Sequence, residues 1–407
     1  MSNNTSVKRV EYPYLDGMRA LAALYVVIYH AYLMAGHRGD TDRDLPWLGW
    51  ILNHGYLGVP VFIVLSGYVL MLPALSNEQL RLPRGKWSFV KRRARRILPP
   101  YYAALVASLA LIYLVPVMGQ PNGSQWDSKL PVTPAALISH LFLLHDASYM
   151  WIHKINGPLW SVAVEWQIYF VFALALLPLW RRLSPYLIVA VLLVVTLPMG
   201  FLHFHTSVHP WLLALFAVGM LAAQLTVRPI IGARVLQVCA VVLAAALAIA
   251  VVVTYSVRND TLWLTESLAG LATGVALVLL GRQALNGRVG RVAGFLQSRP
   301  MLFLGLISYS IYLFHQPFLA LGNSLLLPLG LPTWALALIM FVGIVPLTLA
   351  ACAGMFWLVE RHFLNAHQTK VQQVVEPTYD ADRVDIEKSA AGASSGIGRS
   401  SSSLIRK

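Results

Sequence analysis

Three ionisable side chains lie inside otherwise apolar runs of the sequence, namely His30, Glu165 and His315. A histidine titrates near neutral pH and can accept a proton from a hydroxyl group. A carboxylate bonded to the other ring nitrogen would fix the tautomer of that histidine and stabilise the imidazolium that forms. We therefore predict a buried site for proton transfer, with His30 as the base and Glu165 as its orienting partner.

The predicted spans place these three residues at a similar depth. At ~1.5 Å per helical residue, each lies roughly 8–10 Å below the outer end of its span. Ionisable groups inside a membrane are costly and commonly functional, but a single histidine can equally form a hydrogen bond between helices. The residues alone leave catalysis and transport open for His30 and Glu165, and we interpret His315 as structural or substrate-lining rather than as the base.

A second set of candidate residues is basic. Arg19 precedes His30 by eleven positions, about 16 Å along a helix, and could snorkel to the boundary or line an anion site. The run KWSFVKRRARRILPPYY (86–102) places five basic residues directly before a span: Lys91, Arg92, Arg93, Arg95 and Arg96. Such a run can be a topology anchor that meets anionic lipid. Because arginine suits bidentate phosphate contacts, we predict a phosphate-bearing ligand. The sequence contains no Walker-type motif, so a nucleotide-driven pump is not expected.

The composition indicates which elements must position these side chains. Of the 407 residues, 57% are hydrophobic and 12% are charged, and the mean hydropathy is +0.64. Because soluble domains contain about 25% charged residues, we predict an all-α polytopic membrane protein of the plasma or inner membrane. Apolar runs of spanning length predict about ten helices, over residues 17–35, 50–72, 98–118, 158–180, 185–202, 211–226, 235–256, 263–281, 300–321 and 333–358.

The loops between these runs predict the topology. With a cytoplasmic N-terminus, sixteen Lys and Arg residues lie in inner loops and five in outer loops, which favours both termini in the cytoplasm. Residues 134–155 are apolar over too short a stretch to span, so we predict a surface or re-entrant element. Residues 359–407 are polar and serine-rich, and they are predicted to form a disordered cytoplasmic tail after a membrane domain of residues 1–358.

We predict no metal site. Cys239 and Cys352 lie in separate apolar runs and form neither a disulfide framework nor a metal pair. The spacing of His203, His205 and His209 would allow metal binding, but no cysteine or carboxylate joins them locally.

Five motifs, in this order, resemble the acyltransferase-3 family of integral membrane O-acyltransferases. They are the Arg-x10-His pair of the first span, then GVPVFIVLSGY (58–68), FVKRRARRILPPYY (89–102), GPLWSVAVEWQIYF (157–170) and LGLISYSIYLFHQPF (304–318). The resemblance covers roughly residues 10–360. It implies transfer of an acetyl or other short acyl group from cytoplasmic acyl-CoA, as co-substrate, to a hydroxyl of a glycan or glycoside across the membrane. No tightly bound cofactor is implied.

The resemblance also assigns residues. His30 matches the essential histidine of the family, and Arg19 matches its paired arginine. The Arg-x-x-Arg element matches Arg93 and Arg96, with Arg92 and Arg95 as the alternative register. The remaining expected site residues are the Ser-x3-Glu pair and two substrate-lining residues of the last motif: Ser161, Glu165, Tyr309 and His315.

Many family members carry a fused esterase-like domain. Because residues 359–407 are short and polar, we expect a stand-alone member. Aromatic residues near the outer end of the fourth span, Tyr149, Trp151, Trp160 and Trp166, would stack on a sugar or form an interfacial belt, and we favour the belt.

Two other functional classes compete with acyl transfer. A proton- or anion-coupled transporter would use the same intramembrane histidine and carboxylate, but matching inverted halves are not found in the sequence. A lipid-binding scaffold would explain the basic run without explaining the buried ionisable residues. Nucleic acid is not an expected partner, and the sequence does not predict the oligomeric state.

Overall fold

A computed structural model describes residues 12–257 and 261–364 of the chain. Across these residues the regular secondary structure is helical, with no strand. Eleven principal helices are labelled in chain order: α1 (Tyr14–Leu33), α2 (Gly58–Leu75), α3 (Gly85–Leu114), α4 (Leu159–Val171), α5 (Pro185–Phe201), α6 (Trp211–Val227), α7 (Ala233–Val257), α8 (Leu262–Leu285), α9 (Arg299–Leu306), α10 (Ser308–Leu326) and α11 (Val345–Leu358).

Shorter elements connect or extend these helices. The short α-helices are Asp40–Asp44, Pro46–Leu52, Pro116–Gly119, Pro134–Leu141, Leu177–Trp180, Arg291–Leu296 and Thr333–Ile339. The π-helical turns Phe172–Leu176 and Met340–Ile344 join α4 to Leu177–Trp180 and Thr333–Ile339 to α11. The 3-10 segments are Gly55–Leu57, Gln125–Lys129, His145–Ala147, Thr206–Val208, Leu327–Leu329 and Glu360–Phe363. Several of these helices begin with proline at their first turn, where the missing N–H costs no hydrogen bond.

The apolar helices agree with a multi-pass membrane protein. Seven helical stretches of the described residues are long and apolar enough to cross a bilayer, or eight if α9 and α10, bent by 70° against each other, form one span. In 233–255, for example, the mean hydropathy is 2.8 and only 11% of the most apolar stretch is buried, as expected of a helix whose sides contact lipid. The other two predicted spans correspond to α1 and to α5, which has 17 residues. The count of ten spans and the cytoplasmic position of both termini stay predictions.

Close helix packing builds the interior. At the crossing of α2 and α6, a Cβ added to Gly67 would lie 2.1 Å from the carbonyl oxygen of Phe216, and one added to Gly219 would lie 2.1 Å from that of Val64. Glycine at both positions lets the two backbones touch, which is how helices associate where lipid supplies no hydrophobic driving force. Helix α1 packs against α2, α9 and α10, and α10 packs against α3 and α11. The two helices that carry His30 and His315 are therefore neighbours.

Residues 134–155 contain no spanning helix. The segment folds as the eight-residue helix Pro134–Leu141, about 12 Å long at the helical rise, followed by the 3-10 turn His145–Ala147 and further turns. The prediction that this segment does not cross the membrane as a helix is confirmed.

The predicted domain boundary after residue 358 falls too early. Glu360 is fully buried, and its carboxylate pairs with Arg96 of α3 and accepts hydrogen bonds from Ser310 of α10. A buried carboxylate needs partners, and these partners tie Glu360 to the helical bundle. The predicted disorder of the tail concerns residues that, from 365 onward, lie outside the described part of the chain.

Candidate functional site

His30 and His315 form a hydrogen-bonded pair. Nδ1 of His30 lies 3.1 Å from Nε2 of His315, and the two ring centroids are 4.9 Å apart at an interplanar angle of 60°. His315 is fully buried, whereas His30 is half-buried. Each ring is held from behind by the carbonyl one turn earlier in its own helix, that of Val26 for His30 and that of Ile311 for His315. Of the three ionisable residues predicted at a similar depth, His30 and His315 are thus brought into contact.

The hydrogen-bond partners assign the protons on the two rings. A carbonyl oxygen can only accept, so Nδ1–H of His315 donates to Ile311 at 2.9 Å, and Nε2 of a neutral His315 is an acceptor. Nδ1 of His30 faces two acceptors, the oxygen of Val26 at 2.9 Å and Nε2 of His315 at 3.1 Å, and one shared N–H satisfies both. Nε2 of His30 then carries the lone pair, and no hydrogen bond among the described residues engages it. The pair presents a base at that atom.

Glu165 lies elsewhere. Its Oε1 accepts hydrogen bonds from Ser66 of α2 and from Tyr169, each at 2.5 Å, and the carboxylate interacts electrostatically with Arg93 of α3. The predicted contact between Glu165 and His30 is therefore wrong, and His315 occupies the orienting position instead. The depth of a residue along a helix does not specify which face carries it, and Glu165 faces α2 and α3 rather than α1.

Ser161 connects the two regions. Its hydroxyl lies 2.5 Å from that of Tyr312 and 3.3 Å from the carbonyl oxygen of Pro158. Tyr312 interacts electrostatically with Glu165, and its ring centroid is 6.1 Å from that of His315. Ser161, one of the expected site residues, thus forms a contact between α4 and α10.

The arginines of α1 and α3 form a cluster at the other end of α1 from His30. Arg93 interacts electrostatically with both Arg96 and Arg19. Its guanidinium carbon lies 5.8 Å from the ring centroids of Phe89 and Tyr169, and no carboxylate of the described residues pairs with it within 4.0 Å. Arg19 instead pairs with the buried Asp16 at 2.7 Å. The cluster thus contains three arginines and an Arg93 that has no ion pair within 4.0 Å, although the Glu165 carboxylate acts on it at longer range, and this excess of positive charge favours an anionic ligand.

Arg96 is held in place from two sides. Its Nη2 donates to Glu360 at 2.6 Å, and its guanidinium carbon lies 5.6 Å from the ring centroid of Tyr309, whose hydroxyl donates to the carbonyl of Ile97. Nη1 of Arg96 is buried without a hydrogen-bond partner. A buried N–H group of a cation that lacks an acceptor costs free energy, so this nitrogen is available to an incoming acceptor such as a phosphate oxygen.

The two possible registers of the Arg-x-x-Arg element differ in burial. Arg93 and Arg96 are partly buried and face the helical bundle, whereas Arg92 and Arg95 are exposed. Arg92 donates to Ser88 and to the carbonyl of Pro83, both outside the cluster. The structure therefore places the first register, and not Arg92, beside Arg19 and Glu165.

Sequence reasoning missed several residues of this region. Ser66 belongs to the motif GVPVFIVLSGY (58–68), which could have identified it. Tyr169 follows Glu165 by one helical turn, so its spacing could have identified it. Nothing in the sequence indicates that Glu360 reaches Arg96, because 264 residues separate them. Of the outer aromatic residues, Trp160 stacks on His209 with ring centroids 4.0 Å apart, and Tyr149 is exposed.

Comparisons with known proteins find one matching family model and several similar proteins. A family model described as an acyltransferase domain matches residues 12–356. The O-acetyltransferase OatA of Staphylococcus aureus is 24% identical over 331 residues, which are 77% of this chain and 51% of that protein. The peptidoglycan O-acetyltransferase OatA of Listeria monocytogenes is 29% identical over 188 residues, 44% of this chain and 26% of that protein.

A third relative is the putative peptidoglycan O-acetyltransferase YrhL of Bacillus subtilis. It is 30% identical over 172 residues, which are 40% of this chain and 23% of that protein. The chain thus spans about half the length of the S. aureus relative and a smaller share of the other two. No solved structure matches the chain.

Proposed function

Because this chain belongs to the acyltransferase-3 family, we propose that it moves an acyl group from acyl-CoA to a hydroxyl of a glycan. The observation that carries the proposal is the His30–His315 pair, which leaves Nε2 of His30 as a base. The printed names of the relatives, two of which specify peptidoglycan, support acetyl as the acyl group and a cell-wall glycan as the acceptor class.

The arginine cluster is the proposed site for the donor. Arg93 and Nη1 of Arg96 would bind phosphate oxygens of CoA. Nη1 of Arg96 is buried without a hydrogen-bond partner, and the guanidinium of Arg93 has no carboxylate within 4.0 Å among the described residues. Arg19 adds positive charge to the same site. From Arg19 to His30 the helix rises about 16 Å, and an extended pantetheine arm of that order would bring the thioester to His30.

The proposed reaction needs one base and no redox partner. The acceptor hydroxyl gives its proton to Nε2 of His30 while its oxygen attacks the carbonyl carbon of the thioester. The tetrahedral intermediate collapses by breaking the carbon–sulfur bond, and the imidazolium returns the proton to the CoA thiolate. His315 accepts the hydrogen bond from Nδ1–H of His30 throughout, as the third group of a triad does.

Glu165 has a supporting part in this proposal. Its carboxylate lies beside Arg93 and is fixed by Ser66 and Tyr169, so it would orient the donor site rather than the base. Tyr309 would do the same for Arg96 through its ring and its bond to Ile97.

The experiment is a CoA-release assay on the purified full chain in lipid nanodiscs. Radiolabelled acetyl-CoA is supplied with and without glycan acceptors, and wild type is compared with His30→Gln. Acceptor-stimulated release of CoA and appearance of label in the glycan, both lost in the variant, would support the proposal. If acetyl-CoA and longer acyl-CoA are neither bound nor consumed, the donor assignment fails and a proton- or anion-coupled transporter becomes the better interpretation.

A further inference from the structure

Lys129 is a buried lysine outside the site described above. It ends the 3-10 segment Gln125–Lys129 and is only 4% exposed. Its ammonium nitrogen makes neither a hydrogen bond nor an ion pair with any residue in 12–257 or 261–364. An ammonium group taken out of water without a partner is costly. Such a group therefore suggests a ligand.

The ammonium nitrogen points at the start of α4. A Cβ added to Gly157 would lie 2.9 Å from Nζ of Lys129 and 2.6 Å from Oε1 of Gln316. Oε1 of Gln316 also accepts the backbone N–H of Gly157 at 2.6 Å. The absence of a side chain at Gly157 thus leaves Nζ facing the amide of Gln316, the residue that follows His315 in α10.

The charged groups that act electrostatically on Lys129 are positive. Lys129 interacts electrostatically with Lys154 and Arg38, and His30 interacts electrostatically with both Lys129 and His153. Lys154 is engaged with the carbonyl of Leu130 at 2.5 Å. The nearby carboxylate of Asp127 is likewise occupied, by the backbone N–H groups of two loop residues, Asn122 and Gly123.

We infer that Nζ of Lys129, together with the Nε2–H donor of Gln316, which a Cβ on Gly157 would approach to 3.0 Å, binds an anionic group of the acceptor glycan, a sugar carboxylate or phosphate. This inference rests on the proposed function. An anion held there would bring the rest of the sugar to the same end of the bundle as Nε2 of His30, with its hydroxyl ready to attack. Lys129 is thus a residue of acceptor binding and specificity, distinct from the arginine cluster that would bind the donor at the other end of α1.

The protonation of Lys129 is consistent with this role. Burial, and then the positive charges of Lys154 and Arg38, lower the pKa of Lys129 to about 7. An anion bound at Nζ would favour the charged form and raise the pKa. The ammonium group is therefore able to respond to the arrival of an acidic acceptor and not to a neutral one.

The test uses matched acceptors that differ only in charge. The disaccharide of N-acetylglucosamine and N-acetylmuramic acid is supplied as the free acid and as its methyl ester, and N-acetylglucosamine 1-phosphate is compared with methyl N-acetylglucosaminide. Acetylation by the full chain in nanodiscs is measured for wild type, Lys129→Met and the control Lys86→Met, an exposed lysine. Thermal stabilisation of each protein by the same four sugars measures binding without turnover.

The expected result is a preference of wild type for an anionic acceptor over its neutral counterpart by about tenfold or more in kcat/KM, as for a hydrogen bond to a charged group. Lys129→Met would bring this ratio close to one by slowing only the anionic reaction, and Lys86→Met would keep it. The pair that shows the preference identifies carboxylate or phosphate.

Three results would overturn the inference. The first is that wild type shows no preference for the anionic acceptor, and the second is that Lys129→Met keeps the preference. The third is that Lys129→Met loses kcat/KM equally for charged and neutral acceptors, which would place Lys129 at the reacting atoms or in the scaffold. If wild type acetylates none of the four sugars, the proposed function fails for these acceptors. The thermal shifts then still decide the inference, because the free acid or phosphate must stabilise wild type more than Lys129→Met.

Discussion

Nδ1 of His30 lies 3.1 Å from Nε2 of His315, although the two residues are 285 positions apart in the chain. The carbonyl of Ile311 fixes the tautomer of His315, and the carbonyl of Val26 together with His315 fixes that of His30. In the proposed reaction, two neutral rings would take the place of the histidine and the carboxylate of a triad, without a buried negative charge.

The first prediction concerns His315 as a positioning residue. His315→Phe should lower kcat by about 10- to 100-fold, the size seen when a partner that orients a functional histidine is removed, because Nδ1–H of His30 keeps the carbonyl of Val26 but loses its second acceptor, the one on α10. His315→Gln, which offers an acceptor oxygen, should recover part of the activity. The measurement is kcat and KM for acetyl-CoA across pH 5–9.

A structural role for His315 gives a different pattern. In that case both variants would lower the melting temperature and the amount of folded protein in parallel with activity, and the shape of the pH profile would be unchanged.

The second prediction compares two adjacent arginines. Arg93→Gln should raise KM for acetyl-CoA by about 10- to 100-fold, the value of a hydrogen bond to a charged group, because Arg93 is the cluster member without a carboxylate within 4.0 Å. Arg92→Gln removes the same charge from an exposed position and should change KM by no more than about threefold. Equal effects of the two substitutions on KM would assign the basic run to long-range attraction alone.

The third prediction separates the two roles considered for Glu165. If its carboxylate holds Arg93, Glu165→Gln should raise KM for acetyl-CoA and leave the pH dependence of kcat unchanged. The isosteric amide can still accept from Ser66 and Tyr169, so the fold should persist. A shift of the kcat profile along the pH axis in Glu165→Gln would instead support an electrostatic effect on His30.

The fourth prediction is a pH dependence of stability. The pKa of Lys129 is about 7 in the folded chain and about 10.4 in an unfolded chain. Between these values the unfolded state binds more protons, so the contribution of Lys129 to stability rises with pH from about 7 to about 10. Below pH 7 both states are charged, and the folded state carries the full cost of the buried ammonium.

Lys129→Met should therefore raise the melting temperature, most at pH 6 to 7 and progressively less towards pH 10. Circular dichroism at 222 nm against temperature, from pH 6 to pH 10, measures this difference. A lysine required by the scaffold would behave in the opposite way, since its replacement would lower the melting temperature at every pH. Greater stability with poorer use of acidic acceptors is the combination expected of a functional buried charge.

The sequence alone determined the class of the protein and most of the chemistry available to it. In a bilayer the backbone N–H and C=O groups of a long apolar run must bond to one another, which they do in a helix. The all-α membrane fold therefore follows from the composition. Histidines inside such runs, and arginines crowded at one boundary, are too costly to be expected without a role. His30, His315 and the basic run 91–96 could be named as candidates on these grounds alone, whereas the choice of Arg93 and Arg96 within that run came from the family resemblance.

The tertiary structure decided which candidates meet. Periodicity gives the depth of a residue along its helix, but the rotation of that helix about its axis is set by packing against its neighbours. That rotation put His315 rather than Glu165 against His30, turned Arg93 inward and Arg92 outward, and joined Arg96 to Glu360. A loop lysine such as Lys129 carries no periodic signal at all, so its burial beside Gly157 follows only from the fold.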